Sequence, residues 1–162
     1  MHDTPLPGTA TPTRDPAWDM LDNVWERLGC QVFLPGGEEA FLDPDSLAAA
    51  APDDRRLFRR VRFRRRALLL VEGRHYAIYT TNISVVGLAA LHHEPLEPGQ
   101  EVRVRFDVES RIDYQVRRCR RVGPGCFEWA GHVLPGQQAE RVVRALLRRG
   151  RTRAIPADRN QP

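Results

Sequence analysis

From Arg62 onward, apolar and polar residues alternate with a period of two, the pattern of half-buried β-strands. The alternation is cleanest between Val102 and Val108. Turn residues separate six such segments, which are 63–71, 75–82, 87–91, 102–108, 112–122 and 126–134. Six short strands joined by turns predict a mainly β fold, a closed six-stranded antiparallel barrel, because closure removes exposed strand edges.

Near the N-terminus, apolar residues recur at spacings of three and four, which predicts an amphipathic helix over residues 16–28. Asp15 and Pro16 suit the start of this helix, and Gly29 suits its end. We expect its apolar stripe to pack on the barrel; the alternative is its display to a partner protein. The stripe consists of Trp18, Leu21, Trp25 and Leu28.

A second amphipathic helix is predicted after the last strand, where Pro135-Gly136 introduces it. Most of its arginines lie opposite its apolar face, and Gly150 is predicted to end it. We expect this C-terminal helix to plug one mouth of the barrel. Its apolar face consists of Ala139, Val142, Val143, Leu146 and Leu147.

The remaining segments are predicted to have little regular structure. Residues 1–15 are rich in Pro, Thr and Gly and should be disordered, and residues 150–162 should form a flexible basic tail. Residues 31–34 are predicted to be extended. Asp45-Ser46 is predicted to cap one helical turn over residues 47–50.

Charge divides the 162 residues into two parts. Residues 1–54 carry a balance of −9, and residues 55–162 carry +13. Together with the strand pattern, this predicts an acidic helical extension over residues 16–52 and a barrel with its C-terminal helix over residues 53–149. The asymmetry indicates an anionic partner for the second part, or an interaction between the two parts.

The most basic stretch is residues 53–66, in which eight of fourteen residues are Arg. All 25 basic residues of the chain are Arg, which is also typical of a GC-rich genome. This stretch alone therefore fits a solvated basic edge strand as well as an anion-binding site.

Two short motifs favour the anion-binding site. Arg56-x-x-x-Arg60 precedes the first strand, and Asn82-x-Ser84-x-x-Gly87 closes the second. In this order they resemble the two-part signature of the PilZ domain, a bacterial receptor domain for cyclic di-GMP. The resemblance covers about residues 55–149 and implies a six-stranded barrel followed by a helix.

The resemblance also implies roles for the arginines of residues 53–60, which we call the Arg loop. Arg56 and Arg60 would bind a phosphate and a guanine, because guanidinium forks onto both groups and stacks on purines. Arg55 precedes this pair, an arrangement that in the family often accompanies an intercalated ligand dimer. Arg55-x-x-x-Arg59 is the alternative register of the motif.

In the second motif, Asn82 and Ser84 would present short polar side chains to a guanine edge. Gly87 would permit a positive φ or a close backbone approach. The alternative for this motif is an ordinary turn that caps its own backbone. The chain departs from many relatives in the last strand, where Gly131-His132-Val133-Leu134 stands in place of Gly, an apolar residue, a variable residue and Phe.

Other classes of site find little support. No Gly-rich phosphate loop, acid pair or nucleophile elbow is present, so we expect no enzyme. His and Cys residues lack the paired spacing of a zinc site, so we expect no metal and no cofactor. His92-His93 is expected to lie in an exposed loop, and Cys119 and Cys126 are not expected to face each other.

A cytoplasmic location is expected. Three Cys, an odd number, give no disulfide framework and fit a reducing compartment. The N-terminus has no basic region followed by an apolar stretch, and no run reaches the ~18 apolar residues of a membrane span.

We therefore expect a cyclic di-GMP receptor that acts on an unidentified downstream protein. One alternative is a PilZ-like adaptor that binds no nucleotide. Another is a basic barrel that binds nucleic acid, although no aromatic residues are interleaved with Arg on one strand face. We also expect Asp53, Asp54 and residues 38–45 to lie near the Arg loop until ligand phosphates displace them and re-aim the first helix.

Overall fold

The computed structural model describes residues 16–43 and 58–152. The predictions for residues 1–15, for the turn at 47–50 and for the tail beyond Thr152 lie outside the described residues. The helices are α1 (Pro16–Leu28), α2 (Gly37–Leu42) and α3 (Ala139–Thr152). The strands are β1 (Val61–Val71), β2 (Arg74–Ile83), β3 (Gly87–His92), β4 (Glu101–Arg105), β5 (Arg111–Gly123) and β6 (Cys126–Val133).

The six strands form the closed antiparallel barrel that the alternating pattern predicts. Their order around the barrel is β1-β2-β3-β6-β5-β4. The inward-facing residues form one apolar core, in which the largest fully buried side chains are Trp129, Tyr114 and Phe106. The predicted strand boundaries agree with the structure within one or two residues, except in β4.

Strand β4 ends at Arg105, three residues earlier than the alternation predicts. The buried carboxylate of Asp107 accepts hydrogen bonds from the backbone N–H groups of Glu109 and Ser110, at 2.8 and 2.7 Å. These bonds fold the chain into a turn, so Val108 is exposed. The prediction that the strand continues to Val108 is therefore wrong.

Helix α3 adds Ala139, Val143 and Leu146 to the barrel core. It does not end at Gly150 as predicted but continues to Thr152. Glycine costs only about 1 kcal/mol in a helix. The last turns are also held to the barrel, because Nη1 of Arg149 lies 2.7 Å from the buried carboxylate of Asp107.

Helix α1 has the predicted bounds and packs on the outside of the barrel, as expected for its stripe. Leu21 and Trp25 are buried, and the Nε1–H of Trp25 donates to the carbonyl of Ile78 at 3.0 Å. Leu28, at the end of the stripe, remains 39% exposed. The barrel residues of this second apolar cluster are Leu68, Ala77, Tyr79, Leu91 and Cys126.

Helix α2 is not predicted by the sequence, and residues 31–34 form no strand. This six-residue helix is too short for a periodic pattern, and contacts with the barrel hold it instead. Phe41 packs edge-on against Tyr79 with 5.4 Å between ring centroids, and the Tyr79 hydroxyl donates to Glu38.

His92 is buried, and the prediction of an exposed His92-His93 loop is wrong. Its side chain is 1% exposed at the end of β3. Successive strand residues point to opposite faces, so His92 points inward where Leu91 points outward. The His92 ring packs against the rings of Tyr76 and His93, with centroids 4.8 and 4.5 Å apart.

Candidate functional site

Arg60, the last residue of the first motif, precedes β1 at the end of the barrel where the second motif lies. Arg62, near the start of β1, is the register partner of Asn82, near the end of β2. Arg60 lies two residues before Arg62, so the backbone at Arg60 is close to the second motif. Arg55 and Arg56 lie outside the described residues, and the structure therefore describes Arg60 alone of the predicted Arg-motif ligands.

Asn82 has an unsatisfied acceptor at this end of the barrel. Its Oδ1 atom is buried and has no hydrogen-bond partner among the described residues. A bulge between Thr80 and Asn82 interrupts the pairing of β2 with β3 at this position. Because a buried acceptor without a donor is unfavourable, this oxygen is suited to accept a bond from a ligand.

Ser84 closes the turn between β2 and β3. Its Oγ accepts from the backbone N–H groups of Val86 and Gly87, at 3.3 and 3.1 Å. Its own backbone N–H donates to the carbonyl of Gly87 at 2.9 Å. The capping expected of an ordinary turn is therefore present, but the hydroxyl hydrogen of Ser84 is still able to donate.

Gly87 is required because another backbone lies close to it, and not because of a positive φ. A Cβ atom at this position would lie 2.9 Å from the carbonyl oxygen of Gly131. Gly87 is absent from the residues with positive φ. The turn of the second motif is thus pressed directly against β6.

His132 is a neighbour that the sequence does not assign to the site. It is the register partner of Gly87 and is exposed. Its Cδ2 atom lies 3.9 Å from the position of a Cβ on Gly87. In the sequence, the only sign of His132 is that Gly131-His132 departs from the family pattern. The pairing of β3 with β6 is needed to place His132 beside Gly87.

The arginines of β1 bind the acidic extension. Nη2 of Arg62 donates to the carbonyl of Asp43 at 3.3 Å, and Nη1 of Arg64 donates to that of Phe41 at 3.2 Å. Arg64 also stacks over the Phe41 ring at 4.5 Å. Burial, with the nearby charge of Arg62, lowers the pKa of the Arg64 guanidinium.

Arg66 has the most extensive contacts of this group. Its Nε donates to Oε2 of Glu38 at 3.1 Å and its Nη1 to Glu26 at 3.0 Å, while the guanidinium lies 4.2 Å from the Trp25 ring centroid. Burial opposes ionisation of Glu38, but hydrogen bonds from Arg66 and Tyr79 outweigh it and lower its pKa. Burial and the bond to Glu38 raise the pKa of Tyr79. Part of the acidic segment 38–45 thus contacts arginines of β1.

Three further observations concern the described residues. Within residues 16–43 and 58–152, no group of three or more His, Cys, Asp or Glu side chains is placed to hold a metal ion. None of the helices in these ranges is long and apolar enough to cross a membrane. The three cysteines are free thiols.

Comparisons with known proteins identify the barrel. A family model described as the PilZ domain matches residues 54–148. Solved structures similar to the chain include the inhibitor of motility MotI/DgrA of Bacillus subtilis, at 14% identity and a TM-score of 0.47 over 63% of this chain and 54% of that one. They also include YcgR of Escherichia coli in complex with c-di-GMP, at 19% identity and a TM-score of 0.46 over 62% of this chain and 49% of that one.

The PilZ domain of YcgR with c-di-GMP is similar over its whole length and 64% of this chain, at 18% identity and a TM-score of 0.48. The match spans about half the length of MotI and of full-length YcgR. No curated protein matches the chain. Because the family model covers more than half of the sequence, the chain belongs to the PilZ domain family.

Proposed function

We propose that this chain is a cytoplasmic receptor for cyclic di-GMP. Arg56 and Arg60 bind a phosphate and a guanine of the ligand, with Arg55 beside them, and the second motif binds a guanine edge. The supporting observation is the pairing of Arg62 with Asn82, which brings Arg60 and the second motif to the same end of the barrel.

The polar groups of the second motif suit guanine. The N1–H and N2–H₂ groups of guanine are donors, and the buried Oδ1 of Asn82 is an acceptor with no donor among the residues that the structure describes. The hydroxyl of Ser84, which already accepts two backbone bonds, donates to a phosphate or carbonyl oxygen of the ligand. Gly87 keeps this turn against β6.

Ligand binding is communicated to a partner protein by a conformational change of the acidic extension. Ligand binding orders the Arg loop, which continues directly into β1, and the outward arginines of β1 hold α2. A change at the start of β1 therefore alters the seating of α1 and α2, whose surface a downstream protein reads.

Isothermal titration of the full chain with cyclic di-GMP tests the receptor function, with cyclic di-AMP as the control ligand. We expect a dissociation constant in the micromolar range or below, which corresponds to about −8 kcal/mol, and much weaker binding of cyclic di-AMP. Absence of heat and of thermal stabilisation by cyclic di-GMP would contradict the proposal. Steeply salt-dependent binding to mixed oligonucleotides in its place would favour a nucleic-acid-binding barrel.

A further inference from the structure

The ring of His132 lies against the turn that carries the second motif. His132 in β6 is the register partner of Gly87 in β3, and the backbone N–H of Val133 donates to the carbonyl of Val86 at 2.9 Å. The position of a Cβ on Gly87 lies 3.9 Å from Cδ2 of His132 and also 3.9 Å from Oγ of Ser84. The imidazole and the Ser84 hydroxyl therefore border the same glycine.

His132 is on the outer surface of the barrel. Trp129 is fully buried in the core, and successive residues of a strand point to opposite faces, so His132, three positions later, points outward. Leu88 is likewise fully buried, so Gly87 faces outward beside the ring. Because Gly87 has no side chain, the ring reaches the turn that Ser84 closes. His132 is exposed, and a ligand at this turn can contact it.

His132 makes no hydrogen bond or ion pair with the other described residues. Strand β3 contributes no charged side chain next to the ring. The charged side chains nearest to it along β5 and β6 are Asp113, Arg117, Arg118 and Glu128. Both carboxylates are already bound, because Arg103 lies 2.7 Å from Asp113 and Arg120 lies 2.9 Å from Glu128. A positive charge on the imidazole is therefore best balanced by an anion that a ligand supplies.

An imidazole at this position supplies chemistry that the second motif lacks. Oδ1 of Asn82 only accepts hydrogen bonds, and the hydroxyl of Ser84 is a single, neutral donor. Cδ2 of His132, the ring atom nearest Gly87, is bonded to Nε2, so the edge of the ring that carries Nε2 is turned toward the motif. Histidine ordinarily changes its charge between pH 5 and 8, and its protonated form carries a hydrogen on both ring nitrogens.

We propose that His132 is a further ligand-binding residue, whose Nε2–H donates to a phosphate oxygen of cyclic di-GMP on the side of the second motif that faces β6. Protonation of the ring makes this hydrogen bond charge-assisted, which about doubles its strength, so the receptor binds more tightly in mild acid. The proposal rests on the proposed function and adds β6 to a site that the motifs confine to the Arg loop, β2 and the turn before β3.

The test is titration of cyclic di-GMP, at pH 6 and at pH 8, into the full chain and its His132→Gln, His132→Phe, His75→Gln and Arg60→Ala variants. His75 is the matched control, because it is an exposed histidine of β2, seven residues before Asn82 or roughly 23 Å along the strand. We expect wild type and His75→Gln to bind roughly three- to tenfold more tightly at pH 6 than at pH 8.

The two His132 variants separate the charge of the ring from its shape. His132→Gln keeps a neutral donor, so its affinity should match that of wild type at pH 8 and should not rise at pH 6. His132→Phe keeps an aromatic ring without a donor, so it should bind several-fold more weakly than wild type at pH 6. Equal affinity of His132→Phe and wild type at pH 6 would overturn the proposal, since a ring that stacks on guanine would then suffice.

The remaining outcomes separate this proposal from the function on which it rests. If wild type binds equally at both pH values, or if the pH dependence persists in His132→Gln, the role of His132 is overturned and the receptor function stands. A wild type that binds no cyclic di-GMP would overturn both proposals. Arg60→Ala should weaken binding at both pH values, and its failure to do so would contradict the proposed site itself. Melting temperatures equal to that of wild type at each pH establish that the variants are folded.

Discussion

Arg66 and Glu38 form a bidentate ion pair. Nε of Arg66 donates to Oε2 of Glu38 at 3.1 Å, and Nη2 of Arg66 donates to Oε1. The pair joins the outer face of β1 to α2, and the Tyr79 hydroxyl donates to the same carboxylate. Side-chain exposures of 21% and 31% mean that water screens the pair only in part. It is therefore the strongest polar link between the acidic extension and the barrel among the described residues.

Glu38→Gln should lower the free energy of unfolding by about 1–2 kcal/mol, because it removes a partly buried carboxylate from Arg66 and Tyr79. Glu140→Gln is the matched control. Glu140 pairs with Arg144 at 2.7 Å, but both side chains are more than 60% exposed, so a loss below about 0.5 kcal/mol is expected. Urea unfolding of both variants measures the difference, and equal losses would show that the Arg66 pair contributes no more than a surface pair.

His92 should make the protein less stable in mild acid. Burial, together with the neighbouring His93, lowers its pKa from 6.5 to about 4. The unfolded chain takes up the proton below about pH 6.5 and the folded chain resists it, so this contribution to stability is present above pH 6.5 and is lost as the pH falls toward 4. The loss is on the order of 3 kcal/mol at most.

The pH dependence of urea unfolding in wild type, His92→Gln and His132→Gln tests this prediction. The slope between pH 6.5 and 4 should flatten in His92→Gln and persist in His132→Gln, where the replaced ring is exposed. The lowered pKa of Glu38 affects stability in a more acidic pH range. The stability that its ionised carboxylate contributes is lost only as the pH falls below 4.5, the ordinary pKa of a glutamate. A slope unaffected by His92→Gln would mean that another group takes up the proton.

Arg56→Ala and Arg60→Ala should each weaken cyclic di-GMP binding roughly ten- to hundredfold, because a charge-assisted hydrogen bond contributes about 1.5–3 kcal/mol. Arg148→Ala, on an exposed position of α3, should have little effect. Arg60→Lys should bind almost as poorly as Arg60→Ala, since a point cation replaces neither a fork nor a stack. Titration calorimetry that finds Arg148→Ala as damaging as Arg60→Ala would indicate diffuse charge rather than a pocket.

Gly87→Ala should damage both stability and binding. The added Cβ would lie 2.9 Å from the carbonyl oxygen of Gly131, so two backbone segments must separate at a cost of about 1–3 kcal/mol. Gly123→Ala is the control, because no atom of the described residues lies within 4 Å of an added Cβ at position 123, and the φ of Gly123 is not positive. Thermal unfolding and titration of both variants check the prediction, and a Gly87→Ala protein as stable as Gly123→Ala would mean that the turn moves freely.

The features that the sequence predicts best are those with a local periodic signal. The alternation in β1 to β6 and the stripe of α1 each repeat within one element, and both were predicted nearly to their ends. Strand β4 was overextended because the alternation continues past Arg105, while the carboxylate of Asp107 folds the backbone into a turn. Helix α2 depends on tertiary contacts of Glu38 and Phe41 and leaves no pattern of its own.

Only part of the proposed site is visible in the sequence, for a related reason. Arg60 and the second motif are visible in sequence because each motif is short and its residues are close together. Arg62 and His132 lie beside the second motif only because the barrel places β1 next to β2 and β6 next to β3. Non-local strand pairing of this kind cannot be obtained from spacing along the chain.

The fluorescence of Trp25 should report whether the acidic extension responds to ligand. Trp25 lies under the Arg66 guanidinium and donates to the carbonyl of Ile78, so reseating of α1 alters its surroundings. Deleting residues 1–52 would also remove the acidic extension, but it would expose the buried side chains of Leu68 and Tyr79. A single charge change in the full chain, such as Glu38→Gln, is therefore the sharper test of the extension. We expect cyclic di-GMP to change the emission of wild type and to change that of Trp25→Phe much less.

Glu38→Gln should strengthen cyclic di-GMP binding a few-fold at low salt if the extension opposes the bound state, because β1 is then freer to adjust. Salt screens a partly exposed ion pair such as this one, so the gain in affinity should fade as salt rises. Glu140→Gln should show no gain. If Glu38→Gln binds no more tightly at low salt and Trp25 emission stays constant on binding, the extension is a passive cover over the apolar face of the barrel and carries no signal to a partner.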